Sequence, residues 1–290
     1  WITIKKAIAS DHGTDTGWQS SYGDGQAIFG STCIDNWIGC SSLVFRTGYW
    51  NLDGTIGSGS NSLSYGFSIP STQQAAYAQQ LVQLGQAGAT DSAHHITISR
   101  LAVTCAGPEI NTGQQGIGGG FDVVLRSIYV DNCQNSIKVG KPNFLIENSY
   151  FDRAWSSPTH HGEQINSAYG AEGVVFRNNI IAQCVGTTCI GNYPVLNWSI
   201  YNNIFMNVST GNGIIGASGS DAITNTKIYG NTIINSKKWL LYQQNPGAQV
   251  SSGNIVKNNL FYNSEAGLPA NGGGVIDHDY NAYFNSTNVP

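Results

Sequence analysis

Charge is what this chain has least of. It carries 13 Lys and Arg and 17 Asp and Glu in 290 residues, or 10%, where soluble proteins average about a quarter. Its formal net charge is −4 and its longest basic runs are Lys5-Lys6 and Lys237-Lys238. That excludes the electrostatic footprint of a nucleic-acid binder. No run of about 18 apolar residues occurs, so no helix is expected to span a membrane. The six cysteines form no Cys-x-x-Cys and have no His at zinc-finger spacing, which argues against a structural zinc. Gly (36 residues), Asn, Ser and Thr fill the space that charge leaves. Hydrophobic content of 40% and aromatic content of 11% are ample for a core, so the chain is not disordered. Low charge with abundant Asn, Gly and β-branched residues predicts an all-β protein rich in turns.

At this length the chain is one large domain or two small ones. It starts at Trp1, with neither Met nor signal peptide, and reads as a mature product or a fragment. Cys33 and Cys40, and Cys184 and Cys189, are close enough to close small loops as disulfides or to remain buried thiols. The sequons at Asn197, Asn207 and Asn285 are expected by chance in so Asn- and Ser-rich a chain. Composition favours export, to the medium or the cell surface.

Internal repetition sets the architecture. Six segments share an extended run, an Asn, a small polar residue and two large apolar ones: IENSYF, FRNNII, IYNNIF, YGNTII, VKNNLF and DYNAYF. Aligned on Asn148, Asn178, Asn202, Asn231, Asn258 and Asn281, they are separated by 30, 24, 29, 27 and 23 residues. Upstream, ISRLAV and LRSIYV fit the frame with Arg100 and Arg126 in the Asn position, and YWNLDG is a possible earlier coil. Short β-rich runs at a period in the twenties predict a solenoid. Each coil places two or three parallel strands on the faces of a prism, and coils stack about 4.8 Å apart. An Asn at a bend tolerates left-handed backbone angles, and its amide can donate to the next coil's, forming a ladder. Regular coils are expected over 96–290 and looser ones over 1–95, all in one domain. The stretch PSTQQAAYAQQLVQLGQAGA predicts one short helix near 71–86, capped by Ser71 or Thr72.

With these asparagines and apolar columns, the chain resembles the right-handed parallel β-helix proteins of the pectate-lyase-like superfamily. That resemblance implies a groove along one strand face and, as its usual chemistry, cleavage of acidic polysaccharide by β-elimination. Such chemistry needs a neutraliser for the uronate carboxylate, a base for the α-proton and an acid for the leaving oxygen.

Residues 138–177 hold a disproportionate share of the chain's scarce titratable groups. There His160, His161 and Lys138 are candidate bases, and Arg153 and Tyr169 candidate donors. Trp155, Lys141 and Arg177 are candidate substrate contacts. The segment GEQI is similar to one in the alginate-lyase and chondroitinase-B branch, and that similarity implies a cation, Ca²⁺, held by Glu163 with Asp152. The branch's Lys-Ser-x-x-Asn motif has no counterpart here.

A plainer reading makes the histidines part of a surface turn, with Glu163 paired to Arg153 or capping the next strand. A glycoside hydrolase would use Asp152 and Glu163 as its two carboxylates, although the Asp-Asp pair of β-helix hydrolases is absent. DHGTDTGWQ (11–19), His94-His95 and DHDY (277–280) read as turns, and GQQGIGGG (113–120) is too loose for a phosphate loop. A non-catalytic adhesive or fibre role is the rival class, because both chain ends look open enough for self-association.

Overall fold

The computed structural model describes residues 1–6, 26–30, 41–55, 65–71, 79–85, 93–107, 114–156, 161–168, 170–218, 221–243, 252–267 and 276–290. These residues form a parallel β-helix. Strands fall cyclically onto three faces as the chain advances, giving sheets of 10, 10 and 8 strands and a two-stranded side sheet. Each strand pairs in parallel with the equivalent strand of the coils before and after it.

The register stacks like on like. On the first face Leu52, Ile98, Leu125, Ile146, Phe176, Ile200, Ile228 and Val256 form one inward column. The second face contributes Ile69, Val103, Val130, Phe151, Ile181, Phe205, Ile233 and Phe261. Val82, Ile117, Ile137, Ile165, Ile190, Ile215 and Leu241 complete the core from the third face. All are essentially inaccessible to solvent, and each such burial contributes roughly 1.5–3 kcal/mol.

Two different residues do the work at the corner between the first two faces. The residue in the left-handed conformation is Arg100, Ser127, Asn148, Asn178, Asn202, Gly230, Asn258 and Tyr280 in successive coils, with φ between 49° and 64°. The residue after it points along the helix axis. There Ser149, Asn179, Asn203, Asn231, Asn259 and Asn281 form a continuous stack, each backbone N–H donating to the next side-chain oxygen at 2.9–3.0 Å. The expected alignment is thus corrected by one position: Asn148, Asn178, Asn202 and Asn258 are the exposed left-handed residues, and only Asn231 and Asn281 were placed in the ladder. In LRSIYV the bend falls on Ser127, not Arg126. A second, exposed ladder joins Asn207, Asn235, Asn263 and Asn285 at the next corner.

The helix expected near 71–86 does not extend through the described part of that span. Gln79–Leu84 is a strand of the third face, paired with Leu43–Phe45 and Gln114–Gly119; residues 72–78 lie outside the described residues. Two strand partners that bury Leu81, Val82 and Leu84 outweigh a local helical preference. His94-His95 and Asp277–Asp279 likewise belong to strands, not turns. Residues 11–19 lie outside the described residues.

Two disulfides are present among the described residues. Cys184 bonds Cys189, one of the two pairs expected, and Cys105 bonds Cys133, 28 residues on, across adjacent coils. Cys33 and Cys40 lie outside the described residues.

Candidate functional site

Glu163 opens the third-face strand Glu163–Ser167, between Asn135–Val139 and Thr188–Asn192. In a regular strand, residues three apart point to opposite faces. Yet Asn166 Nδ2 donates to Glu163 Oε2 at 2.7 Å, which requires an irregularity between them. Its source is visible on neighbouring coils. A Cβ on Gly116 would lie 3.0 Å from core Val130, so this position points inward, and in the next coils it is held by Ser136 and Gln164, bonded to each other. One coil further, Cys189 and Ile190 N–H both donate to Ile214 O. Two consecutive residues therefore turn toward the core. This is a β-bulge, a device that re-aims side chains, and it leaves Glu163 and Asn166 together on the outer face.

His161 lies over them. Its Nδ1 is 3.0 Å from both Glu163 oxygens, and its side chain is 40% exposed while that of Glu163 is 0% exposed. Asn135 Oδ1, on the preceding coil, accepts the Glu163 N–H at 3.0 Å. Lys138, the register partner of Asn166, stands half-buried on the same face.

Electrostatics follow from this burial. Desolvation pushes the Glu163 carboxyl up, against the lowering effect of His161, Asn166 and Lys138. The hydrogen bond it donates to Glu163 raises His161, outweighing burial. Burial lowers Lys138, with the Glu163 charge opposing. Asn166 Oδ1 and Thr188 Oγ1 are buried and unpartnered beside them, unusual in a folded protein. The result is one buried acid supporting one imidazole, next to an amine made easier to deprotonate. Such a set can hold and move protons.

The other expected site residues are dispersed. Arg153 forms a bidentate pair with Asp131 on the second face, so it does not pair with Glu163. Asp152 lies on that face too, raised by burial and by Asp131; burial and these two carboxylates push Tyr129 up to about 12. Trp155 is buried and donates to Asn132 O. Arg177 lies on the first face, where it and Arg126 grip Glu147, and Lys141 is exposed. His160 and Tyr169 lie outside the described residues.

Asp152 and Glu163 therefore sit on different faces and share no interaction. No group of three or more His, Cys, Asp or Glu side chains gathers among the described residues. The donor set does not fit a calcium cage, which needs six to eight oxygens. Asn166, Asn135 and Thr188 carry no signal in the sequence, since amides and hydroxyls are everywhere in it.

No protein-family model matches the chain, and none of the curated proteins does. Among solved structures it is similar to PfbA, a surface adhesin of Streptococcus pneumoniae, at 14% identity and a TM-score of 0.55, covering 85% of this chain and 70% of that one. An alginate lyase from Paenibacillus sp. str. FPU-7 shares 14% identity at a TM-score of 0.45, over 90% and 82% of the two chains. The tailspike of E. coli bacteriophage HK620 shares 13% identity at 0.45, over 84% and 52%. Such likeness shows the parallel β-helix and nothing finer. No helix among the described residues is long and apolar enough to cross a membrane.

Proposed function

We propose that this protein acts outside the cell on a uronate-containing polysaccharide, cleaving it by β-elimination at the outer third face. The observation that carries the reading is the Lys138–His161–Glu163–Asn166 constellation, in a chain that spends charge so sparingly. With Lys138 and His161 both protonated against one carboxylate, the cluster is net cationic on a protein of net charge −4, which favours capture of an anionic ligand before Lys138 gives up its proton and acts as base.

Lys138, its amine lowered by burial, removes the proton α to the uronate carboxylate. The carbon–carbon double bond forms as the bond to the glycosidic oxygen breaks. His161, its Nδ1–H held by Glu163, delivers a proton from Nε2 to that oxygen. Gln115 and Asn135 occupy the same row as Glu163. Their oxygens are engaged by Gln80 Nε2 and the Glu163 N–H, which leaves amide N–H groups for the substrate carboxylate. No step requires an ion. The disulfides support an oxidising, extracellular setting.

The test is ultraviolet absorbance of unsaturated ends from alginate, polygalacturonate, chondroitin and ulvan. Lys138→Met and His161→Gln should each lower turnover at least about a hundredfold, with thermal melting showing that both variants remain folded. Full activity in both variants, or no product from any substrate with or without Ca²⁺, refutes the reading. A non-catalytic adhesive role is favoured by a different observation. The outer second face carries two adjoining uncharged rows, Ile180, Ile204, Thr232 and Leu260 in one and Met206, Ile234 and Tyr262 in the other, the kind of surface that binds partners. Binding to a glycan or to a second copy without product formation would select it.

A further inference from the structure

The outward row of the third face runs from Lys138 through Asn166, Gly191 and Gly216 to Tyr242. Between Asn166 and Tyr242 it holds only glycine, and both glycines are buried, with the Thr188 side chain over Gly216, where a Cβ would lie 2.6 Å from Thr188 Cγ2. At its far end a cavity of about 240 Å³ is lined by Trp239, Tyr242, Asn212, Lys238, Glu265 and Gly211. Sites for drug-sized ligands run about 300–1,000 Å³, so this one suits a single ring-sized group.

Two glycines seat the two aromatic side chains. A Cβ on Gly213 would lie 2.7 Å from the Tyr242 Cβ, and one on Gly267 would lie 2.7 Å from Trp239 Cδ1 and 3.0 Å from its Nε1. Neither glycine has a positive φ; what each supplies is room. Lys238 is also held, its N–H donating to Ser236 Oγ at 3.2 Å and its Nζ to Gly211 O at 3.3 Å. Ammonium and carboxylate cancel, and the Asn212 side chain makes no hydrogen bond among the described residues. Aromatic faces stack on the C–H faces of a sugar, while a few convergent polar groups orient its hydroxyls.

We infer that the Trp239–Tyr242 cavity is a distal subsite for one pyranose ring of a glycan chain lying along the third face. It deepens the reading above and rests on it. Lys138 and Tyr242 are four strand spacings apart, about 19 Å, a span that a short oligosaccharide bridges. The subsite holds the chain and takes no part in bond breaking.

The experiment is affinity electrophoresis through native gels containing alginate, polygalacturonate or chondroitin sulfate. His161→Gln serves as background so that the polymer is not consumed. At least one polymer should retard this protein, and adding Trp239→Ala should weaken the retardation roughly tenfold. Gly267→Ala keeps the indole but presses on it from behind, and it should weaken binding too; thermal melting confirms that each variant is folded. Unchanged retardation in both variants, or no retardation by any polymer, overturns the subsite. Trp239-dependent binding by a wild-type protein that releases no unsaturated product upholds the subsite and overturns the reaction.

Discussion

Replacing Asn203 by alanine tests the packing of the coils at one buried amide. The Asn203 side-chain oxygen accepts Asn179 N–H at 2.9 Å and Asn179 Nδ2 at 3.1 Å. Its Nδ2 donates to Phe176 O at 2.9 Å and Asn231 Oδ1 at 3.0 Å. Alanine deletes all four bonds at a site only 1% exposed. Two neighbours keep a partner, because Asn179 Nδ2 still reaches Ile146 O and Asn231 Oδ1 still accepts the residue 203 N–H. The Asn179 N–H loses its acceptor. At about 1 kcal/mol for each of the other three hydrogen bonds and about 1–3 kcal/mol for the orphaned buried donor, the loss is roughly 4–6 kcal/mol. Asn202 is exposed and contributes chiefly its left-handed backbone, φ 54°, so Asn202→Ala should cost only about 1 kcal/mol and Asn202→Gly close to nothing. Urea titration followed by circular dichroism measures all three. Because solenoid stability is summed over neighbouring repeats, amide hydrogen exchange at residues 176–206 should report the same ordering locally. A larger loss from Asn202→Ala than from Asn203→Ala refutes the register.

The pH dependence of stability has a definite sign at the third face. His161 is raised by Glu163 and Glu163 is raised by burial, so the folded protein retains protons that the unfolded chain releases sooner. The stability they contribute is full below the unfolded-state values and drains as pH rises through the folded ones. Melting temperature should therefore fall from the ordinary carboxyl range toward alkaline pH, and Glu163→Gln should flatten that slope; an unchanged slope contradicts the assignment. On the first face burial pushes Glu147 up, but the guanidinium hydrogen bonds of Arg177 and Arg126 outweigh it and the net shift is down. That contribution is present above the unfolded value and lost on acidification. Glu147→Gln should cost about 2 kcal/mol at neutral pH, the half-exposed arginines being partly screened, and should shrink the acid-side fall in melting temperature.

The stacking of coils was legible because every coil repeats the same bend, although the sequence left two or three faces open and showed nine segments where the first face has ten strands. The error of one position arose where two asparagines stand together, as at 178–179 and 202–203. One is selected for its backbone and the other for its amide, and both look alike in an alignment of six segments. Gly230-Asn231 separates the two roles, since glycine takes the bend and frees Asn for the stack. Residues 79–84 misled for a different reason: their strand identity is conferred by partners far away in sequence. Scarcity of charge drew the eye to the stretch that holds His161 and Glu163, but it matched Glu163 with Asp152 or Arg153, whereas its partner is His161. Asp152 and Arg153 are near Glu163 in sequence but lie before the corner that turns the chain onto another face. Asn166 was illegible because a bulge interrupts the alternation that would have assigned it a side.

Because every winding advances by one strand spacing, distances along this molecule come in whole steps. Gain or loss of a complete winding between Asn166 and Tyr242 would move the aromatic cavity relative to the proton-transferring groups by one division, leaving both intact. The fold is in that sense a ruler, and the length of ligand it measures can be reset without redesigning either mark.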